Sequence, residues 1–257
     1  MAKERISDDE DQLRDPPDNV TEPCLTYMAR IMELREFVSS YFTLAKTSDE
    51  LARSLHAAAQ EAGDEAIDYE SGFSTNNPFL NQIMLSRATE SFDLYLTMIL
   101  RDIFLARPEM LKSEGTIDIA TVIETGNYEE LIWKIAERKV LELSYKPLSE
   151  LRKFIQSRTS VDLFPSQAAF ETTLVASEVR NLIAHNDCLV SDVFRARTKG
   201  ISMPLVVSST GRVKIDNAWL QKASFMLDDI VFRFDKLAAD KFNLRTLFRM
   251  GAFILRD

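Results

Sequence analysis

Arg180, Asn181 and His185 lie within the ten residues EVRNLIAHND (Glu178 to Asp187), and His185 is one of only two histidines in the chain. These three types cover the needs of one reaction, the cleavage of RNA by its own 2'-hydroxyl. Imidazole titrates near neutral pH and can take or give a proton. A guanidinium stays charged and matches phosphate oxygens in a two-pronged fit, and an amide can orient either group. None of this requires a metal, which agrees with a sequence lacking any spaced His/Cys cluster.

The residues must be held by a helix. At about 100° per residue, Val175, Val179, Leu182 and Ile183 fall on one arc that faces a core, while Arg180, Asn181 and His185 fall on the opposite half. Asn181 and His185 are surface neighbours at i and i+4, Glu178 lies one turn earlier on the same side, and the long Arg180 side chain reaches toward the same spot. The helix restarts after Pro165 and ends near Asp187.

The rest of the chain reads as all-α, with long helical periodicity and only 7 glycines. Residues 1–20, with SDDEDQLRDPPDN, read as a disordered acidic leader. Residues 21–75 read as an N-terminal helical arm of two helices, the second capped by Ser48. Residues 76–257 read as the main helical domain, opened after Pro78 by a long helix whose apolar stripe is Leu80, Ile83, Met84, Ala88, Phe92, Leu96, Ile99 and Ile103. A short helix TIDIATVIE follows, then one capped by Asn127 with Glu130 three residues on, ended or bent by Pro147. A β-hairpin spans 201–215 with a Thr-Gly turn, and Asp216 caps a closing helix over 216–243.

Composition limits the function classes. With 46% hydrophobic residues a substantial core is affordable, and no charge-free apolar run suits a membrane span or a secretory signal, so a cytoplasmic protein without membrane partners is expected. The net charge of -9 disfavours general charge-driven nucleic-acid binding but permits a local basic strip. Arg195, Arg197 and Lys199, followed by Arg212 and Lys214, could form such a strip along an RNA path, although ordinary solvated charge beside a turn explains them equally well. Cys24 and Cys188 suggest no disulfide; one is expected to be buried and the other near the motif. His56, in an alanine-rich helix, reads as a surface or half-buried residue, and Asp228-Asp229 as a solvated pair. The tail LRTLFRMGAFILRD could dock on a partner or a second protomer.

Arg180-Asn181, three residues, then His185-Asn186, late in a helical chain, resembles the Rx4-6H motif of the HEPN superfamily, and Phe79 to Asp187 looks like its helical bundle, especially the prokaryotic defence-associated branch. The resemblance implies a metal-independent endoribonuclease needing no cofactor. Such enzymes are usually homodimers whose motif helices face each other across a composite cleft, and many act in antiviral or toxin-antitoxin systems beside a cognate antitoxin or other partner protein. It implies His185 as acid/base, Arg180 as phosphate clamp and Asn181 as orienting group. Beside the motif, Glu178, Asn186, Arg195, Arg197 and Lys199 are expected as RNA contacts. Some members carry a tyrosine two residues after the histidine as a modification target; Asp187 stands there, so that regulation is not supported. Two other readings use the same residues. Arg180 could pair with Glu178 or Asp187 while His185 ends the helix, and the chain could be a catalytically silent assembly subunit of a defence complex.

Overall fold

The computed structural model describes residues 17–62, 72–112, 116–201 and 205–248, with the backbone alone over 72–76. Most of the leader, the tail beyond Phe248 and 202–204 of the hairpin lie outside the described residues. Among those described, the protein is mostly helical, with a small antiparallel pair near the C-terminus. The elements run β1 (Asn19–Thr21), α1 (Glu22–Ala62), α2 (Gly72–Ala106), a 3-10 turn (Pro108–Leu111), α3 (Ile119–Thr125), α4 (Tyr128–Ser144), α5 (Leu148–Thr159), α6 (Gln167–Asn186), α7 (Asp192–Arg197), β2 (Val206–Val207), β3 (Val213–Lys214), α8 (Asn217–Phe242) and β4 (Thr246–Phe248).

Local chemistry sets most helix starts. Asn127 accepts from the Glu130 amide at 2.8 Å, Ser166 from Ala169 at 3.1 Å and Asp216 from Trp219 at 2.8 Å, each supplying an acceptor that the first turn lacks. The capping box expected at Asn127 is half made, because the Glu130 carboxylate turns to Lys134 at 3.0 Å. Gly211 at φ +79 closes the β2–β3 turn with backbone that other residues adopt reluctantly.

Five expectations need correction. Ser48 caps nothing: α1 runs unbroken through it because no Gly or Pro interrupts the helix there, and the hydroxyls of Thr43, Thr47 and Ser54 are absorbed by carbonyls four residues earlier. Nor is α1 wholly an arm, since Cys24, Tyr27, Met28 and Ile31 are buried in the main core. The helix α2 begins at Gly72 and carries Pro78 inside it, at an exposed position near its start. The leader gives up its last residues to β1, which pairs with β4, Val20 opposite Leu247. Asp228 is not solvated. It is buried, accepts from the Tyr27 hydroxyl at 2.8 Å and pairs with Arg35.

Two apolar clusters result. The larger joins α1, α2, α4, α5 and α8 around Phe92, Phe104, Ile155 and Phe234, and the smaller packs α6 and α7 against the hairpin and the start of α8 around Val179, Phe194 and Trp219. At the centre of the larger cluster, Asp235 of α8 accepts from the Thr21 amide at 3.0 Å, from the Thr21 hydroxyl, and from Tyr95 of α2 at 3.4 Å. Burial pushes its carboxyl above the usual range, opposed by the donors from Thr21 and then Tyr95.

Asp235→Ala leaves the Thr21 amide without an acceptor and is expected to cost about 2 kcal/mol in chemical denaturation. A carboxyl raised by folding contributes stability below its unfolded pKa and loses it as pH climbs through the folded value. The advantage of wild type over Asp235→Asn should therefore shrink as pH rises above the ordinary carboxylate range; a widening gap would contradict this assignment.

Candidate functional site

The site is built on α6. Its N-terminal approach is braced by Arg152, which chelates Asp162 at 3.1 and 2.7 Å, reaches Gln167 at 3.1 Å and lies over the Phe170 ring at 4.8 Å. The hydrogen bonds from Arg152 hold the Asp162 carboxyl below its usual range. Val175, Ala176, Val179 and Leu182 then bury one face of the helix. At the far end Asp187 and Cys188 take left-handed backbone at φ 47 and 59, and the chain turns into a bridge between Leu189 and Arg212. Both cysteines are free and buried, with Cys188 directly after the motif as expected.

Beside α6 lies a cleft of about 450 Å³. One wall is α2, with Thr89, Asp93 and Thr97; another is the α4–α5 turn, with Tyr145 and Lys146; the third is α6, with Ser177, Glu178, Arg180 and Asn181. Arg180 donates to the Asn181 side-chain oxygen at 3.3 Å and to Asp93 at 3.5 Å, both long, while its Nε is buried and meets no acceptor. The cleft walls push the Asp93 carboxyl up, and Arg180 draws it back down. Glu178 is almost wholly buried and receives Arg197 of α7 at 3.0 and 3.3 Å.

The structure thus gathers Arg180, Asn181, Glu178 and Arg197 and leaves the other expected residues outside. His185 is exposed on the last turn of α6, lines no part of the cleft and has no hydrogen-bond or ionic partner among the described residues. Asn186 is turned to the helix end, donating to the Leu189 carbonyl at 2.6 Å. Arg195 and Lys199 are exposed without ion pairs among the described residues, so the basic strip is divided: Arg197 faces Glu178, and Arg212 grips Asp187 at 2.8 and 3.2 Å. The acid that meets Arg180 is Asp93, not Glu178 or Asp187. Its position on α2, 87 residues away, is invisible to any spacing rule within one helix. His56 is half-buried with Gln60 at 3.1 Å.

Among the described residues no group of three His, Cys, Asp or Glu side chains is placed to hold a metal, and no helix is long and apolar enough to cross a membrane. No protein-family model matches the chain, and neither the curated proteins nor the solved structures contain a match to it.

The Glu178–Arg197 pair ties α7 to α6. Because Arg197 remains 44% exposed, solvent limits the pair. A double-mutant cycle with Glu178→Gln and Arg197→Met should return a coupling of about 1 kcal/mol; additive single effects would show that the pair contributes nothing.

Proposed function

We propose that this chain is a metal-independent endoribonuclease that acts as an effector in a prokaryotic antiviral or toxin-antitoxin type system, cutting RNA by 2'-hydroxyl attack at a site completed by a second copy. The observation that carries the reading is Arg180. It stands in a cleft large enough for part of a nucleotide, and its terminal nitrogens are held only by long hydrogen bonds, so they are free to turn to an anionic oxygen. One turn along the same helix His185 stands free in solvent. The likeness of these residues to the HEPN motif supports the same conclusion.

The rotation between Arg180 and His185 explains the need for two copies. Five residues carry the chain about 140° around the helix axis, so one chain turns its arginine into the cleft and its histidine away. A second α6 facing the first supplies the missing imidazole. An imidazole then takes the 2'-hydroxyl proton as that oxygen bonds to phosphorus, and the bond to the 5'-oxygen breaks as a second imidazole donates its proton. Arg180 matches the charge that builds on the phosphoryl oxygens, and Asn181 holds the guanidinium. The fragments carry a 2',3'-cyclic phosphate and a 5'-hydroxyl.

A second reading, a silent assembly subunit, is favoured by the apolar surface of α3 and α4, where Ile119, Ile123 and Tyr128 are open to solvent.

Purified protein should cut single-stranded RNA in the presence of chelator, and His185→Ala and Arg180→Ala should each slow cleavage by about 100-fold or more with unchanged circular dichroism. Undiminished cutting by His185→Ala would reject the assignment, and a wild type that forms complexes but cuts nothing would favour the assembly subunit.

A further inference from the structure

The cleft beside Arg180 has an apolar floor made by Leu96, Leu100, Val140 and Leu143, all buried side chains, under a rim of hydroxyls, an amide and charged groups. Arg197 is already matched by Glu178, and Arg180 is held only at long range by Asp93, so beyond the single phosphate that Arg180 can meet the charges of the cleft are balanced. Such a cleft offers little to a longer phosphate chain lying inside it, whereas the apolar floor offers much to a flat, neutral ring. At the mouth, on the α4–α5 turn, Tyr145 is 82% exposed, an aromatic face left bare in water next to Lys146. Exposed aromatic faces beside such openings are the means by which proteins stack unpaired bases.

From these features we infer that the cleft is a base-binding subsite, that it holds an unpaired guanine next to the cleaved phosphate, and that Tyr145 stacks the neighbouring base. The inference rests on the ribonuclease reading above. The choice of guanine follows from the donors and acceptors on the walls. Asp93 is acceptor-only when ionised, and because its contact with Arg180 is long and half its side chain is open, its two oxygens still have room for two adjacent N–H donors. On its pairing edge guanine alone presents such a set, N1–H beside the 2-amino group. With Arg180 kept for the phosphate, the Asn181 amide, whose oxygen faces Arg180, has its NH2 group to offer the adjacent O6. Adenine and cytosine each present a single amino group beside a ring-nitrogen acceptor, and uracil a single N–H between two carbonyls, so each leaves one Asp93 oxygen facing an acceptor or nothing. The sugar-phosphate backbone then leaves the cleft toward solvent past Arg197, and Arg195 and Lys199, beside it in the chain, are exposed and free of ion pairs among the described residues.

The test uses the full chain carrying His185→Ala, so that RNA is bound without being cut, and a fluorescein-labelled nine-residue oligouridine with one central guanosine, inosine or adenosine. Fluorescence anisotropy should show the guanosine strand bound about tenfold more tightly than the inosine strand, which differs only by the 2-amino group. Asp93→Asn should erase that preference, bringing the guanosine and inosine strands to equal affinity. Tyr145→Ala should weaken all three strands and Tyr145→Phe should restore them, since stacking needs the ring and not the hydroxyl. Equal affinity for guanosine and inosine strands would overturn the inference, as would a Tyr145→Ala protein that binds like its parent. In parallel, wild type with the guanosine strand separates the two proposals: cleavage without base preference refutes the subsite alone, and absence of cleavage refutes the ribonuclease reading itself.

Discussion

The rotation of α6 about its own axis is the constraint on which the site depends. Val175, Ala176, Val179 and Leu182 are all buried, and turning the helix by even one residue would bring Glu178 or Arg180 into the apolar cluster and put Val179 in water. With that rotation fixed, Arg180 enters the cleft and His185 faces solvent. The two are about 7.5 Å apart along the axis as well as far apart around it. No side-chain rearrangement within one chain removes that offset, because it belongs to the backbone.

Neighbouring elements convert this rotation into a defined cleft. Tyr95 of α2 joins the Asp235 knot, which links the entry to α1, α2 and α8, and the same helix projects Asp93 toward Arg180. Arg152 holds the approach to α6 through Asp162 and Gln167. The pairing of Glu178 with Arg197 seats α7 across the far side. A buried acid left alone would be costly, so the position of α7 follows from Glu178 as much as from Phe194.

Much of this was legible in the sequence, for reasons that are local. Asn127, Asp216 and Pro147 mark helix boundaries through capping chemistry and a missing N–H, and the hairpin follows from a β-branched run closed at Gly211. The apolar arc of α6 placed Val175, Val179 and Leu182 inward and His185 outward, but not Glu178, which the wheel set on the outer side and which is buried against Arg197. Other features were hidden because they depend on distant parts of the chain. Ser48 has a capping side chain, but nothing near it stops the helix. Asp228 and Asp235 look like surface acids until Arg35, Tyr27, Thr21 and Tyr95 arrive from other elements. At the site, Arg180 and Asn181 could be named from one turn of helix. Asp93, Thr97 and Tyr145 could not, since only packing of α2 and the α4–α5 turn against α6 brings them to the same cleft.

The proposed completion of the site by a second copy ties chemistry to association. The most direct measurement is the specific rate of RNA cleavage in chelator across a protein dilution series, with the oligomeric state followed by sedimentation in the same buffer. Specific activity should rise with concentration, follow the fraction of dimer and level off when dimerisation is complete. Full specific activity at dilutions where the chain sediments as a monomer would contradict the account.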